Sequence, residues 1–183
     1  GMLQSCQSQT SSFTAIHFSK DEFSVVSQLM DLILPKTDIP GAIELKLPEF
    51  LDGFIDTILN KKAQKGIANG LNHFISVSLE ESGKESVADL NSSDLDTQLA
   101  KYLKADQEQQ KTWGKENKAY QKATKEDSNH NASVTAVAYA FAVQLRSMTI
   151  NAFKTNEYIG ENIMAYAPIP GEQKGCVDLM EAT

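Results

Sequence analysis

From Leu47 to Leu59 the chain places Leu47, Phe50, Leu51, Phe54, Ile55, Ile58 and Leu59 at the i, i+3, i+4, i+7 spacing of one helix face. A strand would scatter these positions over two sides, because its side chains alternate, so the segment specifies a helix. Pro48 suits the first turn, where the amide it lacks would have no intrahelical partner. A helix with so broad an apolar face is expected to bury it, and the face needs other helices to be buried against.

The rest of the chain supplies them. Ser19 stands three residues before Glu22, the spacing of a capping box, and Phe23, Val26, Met30 and Ile33 follow at helical intervals until Pro35 stops the run. Pro35 to Gly41 carries prolines near both ends and reads as a rigid, ordered loop. A third helix is predicted from about Lys61 to Leu79, with Ile67, Leu71, Phe74, Ile75 and Ser78 on one side and Gly83 beyond its end. Asn91, Ser92 and Ser93 offer N-caps for a fourth helix carrying Leu95, Leu99 and Leu103. Lys104 to Asn131 is very polar, with Trp113 and Tyr120 as its only large apolar residues, and reads as a solvated helix with a narrow contact stripe. From Ala132 to Ala152, Val134, Val137, Ala138, Phe141, Leu145 and Met148 form a long face rich in small residues, expected to be the central core helix. Thr155 or Asn156 then caps a short helix running to Met164.

Pro168 and Pro170 forbid helix in the segment that follows, which is expected to be extended. No alternating strand pattern and no internal repeat occurs. The expected fold class is therefore all-α: a single-domain bundle of five to six helices over 18–183 with an extended Pro-rich C-terminal tail, and a flexible leader over 1–17.

Charge and composition exclude several functions. Asp and Glu outnumber Lys and Arg by 24 to 17, and only Arg146 among the basic residues is an arginine, which argues against nucleic-acid binding. The longest apolar stretch, Val134 to Ile150, is interrupted by Gln144 and Arg146 and does not reach a membrane span. His17, His73 and His130 are scattered with no partner at metal-ligand spacing, and two cysteines, Cys6 and Cys176, are too few for a thiolate metal site. Gly66 and Gly70 make no phosphate loop, and no nucleophile elbow is present. Asp52 and Asp56, four apart, could act as paired carboxylates but read more simply as the polar flank of the second helix. No catalytic, cofactor-binding or metal-ligating residue is expected on this chain.

Gly1 before Met2 reads as a tag-cleavage scar. Leu3-Gln4-Ser5-Cys6 has the form of the end of a lipoprotein signal, with Leu at −3, Ser at −1 and Cys6 as the lipidation candidate; the alternative is a leader with an incidental cysteine. Gln7 to Thr14, rich in Gln and Ser, suits a tether.

Three motif groups, widely spaced and in a characteristic order, carry a resemblance. They are Ile33-Leu34-Pro35-Lys36-Thr37-Asp38-Ile39-Pro40-Gly41-Ala42 with Leu47-Pro48-Glu49-Phe50-Leu51-Asp52; Leu145-Arg146 through Asn156-Glu157; and Tyr166-Ala167-Pro168-Ile169-Pro170-Gly171 with Gly175-Cys176-Val177. Together they resemble the gluconate 2-dehydrogenase subunit 3 family over about Phe18 to Leu179. The resemblance implies a non-catalytic accessory subunit, exported to the periplasm or cell envelope. Its implied partner is a large FAD-dependent sugar or polyol dehydrogenase subunit, often with a haem c subunit, whose folding or export it helps. Cofactors then sit on the partners, and contact with the membrane is only through a lipid anchor at Cys6. A free-standing cell-envelope lipoprotein that binds a ligand or partner unrelated to redox chemistry is the alternative.

The tail offers a docking element in Tyr166, Pro168, Ile169, Pro170, Cys176 and Val177, because fixed extended backbone loses little entropy when laid on a partner. Packing of the tail across its own helices is the competing expectation.

Overall fold

The computed structural model describes residues 13–126 and 133–163, and among them every regular element is helical. Seven α-helices follow in order: α1 Lys20–Ile33, α2 Leu47–Thr57, α3 Lys61–Ser82, α4 Ser92–Leu103, α5 Gln107–Glu126, α6 Val134–Lys154 and α7 Glu157–Asn162, with a 3-10 turn at Val87–Asp89. The all-α class is as expected. The count among the described residues is seven rather than five to six, with the polar stretch, expected as a solvated helix, forming α5 and the expected short helix forming α7. The Pro-rich tail lies outside the described residues.

The boundaries follow the capping chemistry. The Ser19 Oγ accepts the Glu22 N–H at 3.3 Å while Glu22 Oε2 accepts the Ser19 N–H at 2.9 Å, the reciprocal box that satisfies two otherwise orphan donors. Asn60 caps α3, Asn91 forms a second box with Asp94 at the start of α4, and Asn156, rather than Thr155, caps α7. Gly83 ends α3 in the left-handed region at φ 66°, where a residue without Cβ costs least. The N-terminus of α2 is unusual, since Lys46 precedes it at φ 53° with no side-chain cap.

The loop between α1 and α2 is ordered, as its prolines implied. Its turn closes through the Ala42 N–H to the Leu34 carbonyl at 2.9 Å, and Gly41 is buried inside it. A Cβ on Gly41 would meet the Lys36 nitrogen at 2.5 Å and the Leu34 oxygen at 2.8 Å, so only glycine fits.

Helix α6 is central and touches each of the other six α-helices, most extensively α3 and α5. Its small residues permit this: Ala136, Ala138 and Ala142 are fully buried, and at the α3 crossing Gly70 lies so close to Phe141 that an added Cβ would stand 2.9 Å from the Phe141 Cβ. Around α6, Leu29, Met30, Leu51, Ile55, Leu71, Phe74 and Leu95 form one apolar core. Each such side chain contributes roughly 1.5–3 kcal/mol by leaving water. Trp113 of α5 packs edge-on to Tyr102 of α4 at 5.4 Å and against Tyr139 of α6 at 5.2 Å, so the narrow contact stripe foreseen for the polar helix is real.

Candidate functional site

Asp52 is fully buried, and its carboxylate accepts three backbone N–H groups: Ile16 at 2.7 Å, His17 at 3.1 Å and Phe18 at 3.0 Å. It is not the solvated flank of α2 that its spacing suggested. The segment leading into α1 presents three successive donors that no helix satisfies, and the carboxylate takes them out of solvent in one step. Asp56 is half-buried, and what it contributes is its backbone carbonyl. That oxygen accepts the Gln64 Nε2 at 2.9 Å, and the same amide also reaches the carbonyls of Ile55 and Leu59, closing the C-terminus of α2.

The histidines are placed singly. The His17 ring lies edge-on to Phe18 at 4.9 Å, and the His73 Nδ1 donates to the Asn69 carbonyl at 2.8 Å within its own helix. Among the described residues no group of three or more His, Cys, Asp or Glu could hold a metal ion, and no helix is long and apolar enough to cross a membrane. His130, Cys6, Tyr166, Pro168, Ile169, Pro170, Cys176 and Val177 lie outside the described residues.

A buried polar pair, Gln98 and Tyr102, lies on α4. The Tyr102 hydroxyl and both polar atoms of the Gln98 amide are buried and, among the described residues, have no hydrogen-bond partner. Burial pushes the phenol up to about 12; the Gln98 amide lies near enough to oppose the shift but not in hydrogen-bonding geometry, and the Glu81 charge adds to the rise. The positions of these residues on the core face of α4 were visible as helical spacing, but the lack of partners was not.

Two surface features remain. On α2 the core takes only Leu47, Leu51 and Ile55 from the apolar face, together with Pro48 and Asp52. Phe50 stays 53% exposed and Ile58 67%, with the half-buried Phe54 between them and its ring stacked 6.1 Å from that of Phe50. The expectation that the whole face would be buried is thus corrected. Its arc is wider than the bundle can cover, and positions 50, 54 and 58 form a stripe facing outward.

The second feature is a groove of about 740 Å³ where α5 stands away from α3 above α6. Ala63, Gly66 and Gly70 on α3, with Ala140 and Phe141 on α6, are among its lining residues, and Asn117, Tyr120 and Gln121 of α5 line the far side.

These features define a class: an all-α bundle in which Asp52 and Gln64 hold backbone together from the interior, and whose exposed apolar stripe and groove suit contact with another molecule. The family is set by its sequence. The family model of gluconate 2-dehydrogenase subunit 3 matches residues 20–171, and the chain belongs to that family. No curated protein and no solved structure matches it significantly.

Proposed function

We propose that this chain is a non-catalytic, exported accessory subunit that docks onto the large FAD-dependent subunit of a gluconate-type sugar or polyol dehydrogenase and assists its folding or export. Membership of a family named as a dehydrogenase subunit supports an assembled role, and the observation that carries the docking is the outward stripe of Phe50, Phe54 and Ile58. Aromatic anchors held on a rigid element are what a protein interface spends its binding energy on. Helix α2 is rigid here, tied to the N-terminal segment through Asp52 and closed by Gln64. Flavin, and haem c where a cytochrome subunit is present, belong to the partners. In this reading Cys6 carries the lipid, and the segment from Tyr166 to Val177 supplies a second contact with the partner.

The test is co-expression with the large FAD-dependent subunit proposed as the partner, followed by co-purification. Phe50→Glu and Ile58→Glu change exposed side chains, so the variants should fold, with helical circular dichroism unchanged. Each is expected to weaken the complex at least tenfold, about 1.4 kcal/mol. Native chain that does not co-purify would overturn the reading and favour a free-standing envelope protein. Retention unaffected by either substitution would remove α2 from the interface. Truncation at Gly171 tests the tail, and mass spectrometry of the native product tests lipid on Cys6.

A further inference from the structure

We infer that the groove between α3, α5 and α6 binds a short, extended, acidic stretch of polypeptide belonging to the flavoprotein subunit. This rests on the reading above that such a subunit is the partner, and it uses a surface other than the α2 stripe.

The lining carries the argument. Of the polar lining residues, Asn60 caps α3 through its Oδ1, which accepts the Ala63 N–H, and the Thr124 hydroxyl donates to the Tyr120 carbonyl within α5. The side-chain amides of Asn69, Asn117, Gln121 and Gln144 line the same groove and carry no such bond among the described residues. Each amide offers two donor hydrogens and an acceptor, the complement of a peptide group. A helical occupant would present no free main-chain groups along its sides, whereas an extended one presents them at every residue. Gly66 and the neighbouring alanines leave room for a backbone to approach closely.

Charge selects the side chains of the occupant. Among the described residues, Lys62 and Lys65 line the groove and no carboxylate does, although the chain as a whole carries a net charge of −7. Neither lysine appears in an ion pair among the described residues, whose three ion pairs use Lys36, Lys84 and Lys101. A cationic site on an acidic protein repels basic segments and steers acidic ones in. From Asn60 to Gly70 the groove follows α3 for about 15 Å at 1.5 Å per residue. That length takes roughly four to five residues of extended chain.

The inference also assigns work to α5, whose polar sequence the core does not explain. Trp113 pins the helix at one end, and Asn117, Tyr120 and Gln121 on the next turns form the wall.

The experiment uses the full chain, the intact flavoprotein subunit, and 15-residue peptides tiled across that subunit, with fluorescence anisotropy as the readout. At least one acidic peptide should bind, more weakly as salt is raised, and compete with the intact subunit. The double variant Lys62→Glu/Lys65→Glu should weaken that peptide at least tenfold. Gly66→Leu is the second variant: a Cβ there meets nothing within 4 Å, so the side chain should occupy the groove without strain. It should raise the melting temperature, since glycine is a poor helix former, and weaken the peptide at least tenfold, an outcome that misfolding cannot mimic. If the intact subunit binds but no peptide does, or if both variants bind like the native chain, this inference is wrong while the docking reading stands. If the native chain does not bind the subunit at all, both are wrong. Self-association abolished by the same substitutions, with no peptide bound, would make a second copy the occupant and overturn the proposal.

Discussion

Asp52 and Asp56 look alike in the sequence and behave differently in the fold. Three main-chain donors converge on Asp52, of which the Phe18 N–H is buried and the other two are partly accessible, so Asp52→Ala leaves the buried donor without a partner and the expected loss is about 1–3 kcal/mol. Asp56 contributes only its backbone oxygen to the α2 terminus, so Asp56→Ala should cost no more than about 0.5 kcal/mol. Urea midpoints of the two variants, compared at unchanged m-value, check the contrast; equal effects would show that the buried carboxylate is not the clamp described. Gly41 gives a second residue-scale expectation: Gly41→Ala forces backbone atoms of the Pro35 loop apart and should lower stability by about 1–3 kcal/mol in the same measurement. Neither role could be read in advance. Spacing identified Asp52 as a position on α2, but its partners at 16–18 lie 34 to 36 residues away and become neighbours only after the chain folds.

Elements were more legible than contacts. The capping box at Ser19, the N-cap choice around Asn91, the proline stop after α1 and the small-residue face of α6 follow from local chemistry, and the structure keeps them. Helix α2 shows the limit: periodicity says which positions are apolar, whereas the curvature of the bundle decides how much of that arc is covered. Phe50 and Ile58 are therefore correct as helix positions and incorrect as core. The groove was invisible for a related reason, since Asn69, Asn117 and Gln144 come from three helices with no shared sequence signal. Helix α5 has an expectation of its own. Among the described residues Trp113 is its one side chain packed on the apolar core, although the helix lies along α6, whereas α6 packs on every other α-helix. Amide hydrogen exchange should show α5 opening at lower free energy than the buried turns of α6. Equal protection in the two helices would contradict this placement.

At the scale of the molecule, titration bounds the stable range. The Lys84 ammonium, then the Asn91 N–H, hold the Asp94 carboxyl below its ordinary value, so the stabilisation it gives is present above about pH 4 and lost as acid protonates it in the folded state. Tyr102 acts at the other end. The unfolded chain releases this proton near pH 10 and the folded chain only near 12, so stability intact below pH 10 falls as pH rises between the two, by up to about 3 kcal/mol. Tyr102→Phe should leave neutral stability within about 1 kcal/mol, because the hydroxyl it removes has no partner, and should flatten the decline between pH 10 and 12 relative to the native chain. Melting curves across that range decide it; parallel declines would exclude Tyr102 as the cause. The Asp52 clamp has a mechanical consequence as well. A pull on the N-terminal end of the chain meets the carboxylate at residues 16–18 before it reaches α1, so the load passes sideways into α2, through three bonds sharing the strain. Whatever tugs at that end tugs first on the helix that bears the Phe50 stripe, while the turns of α1 are spared from peeling.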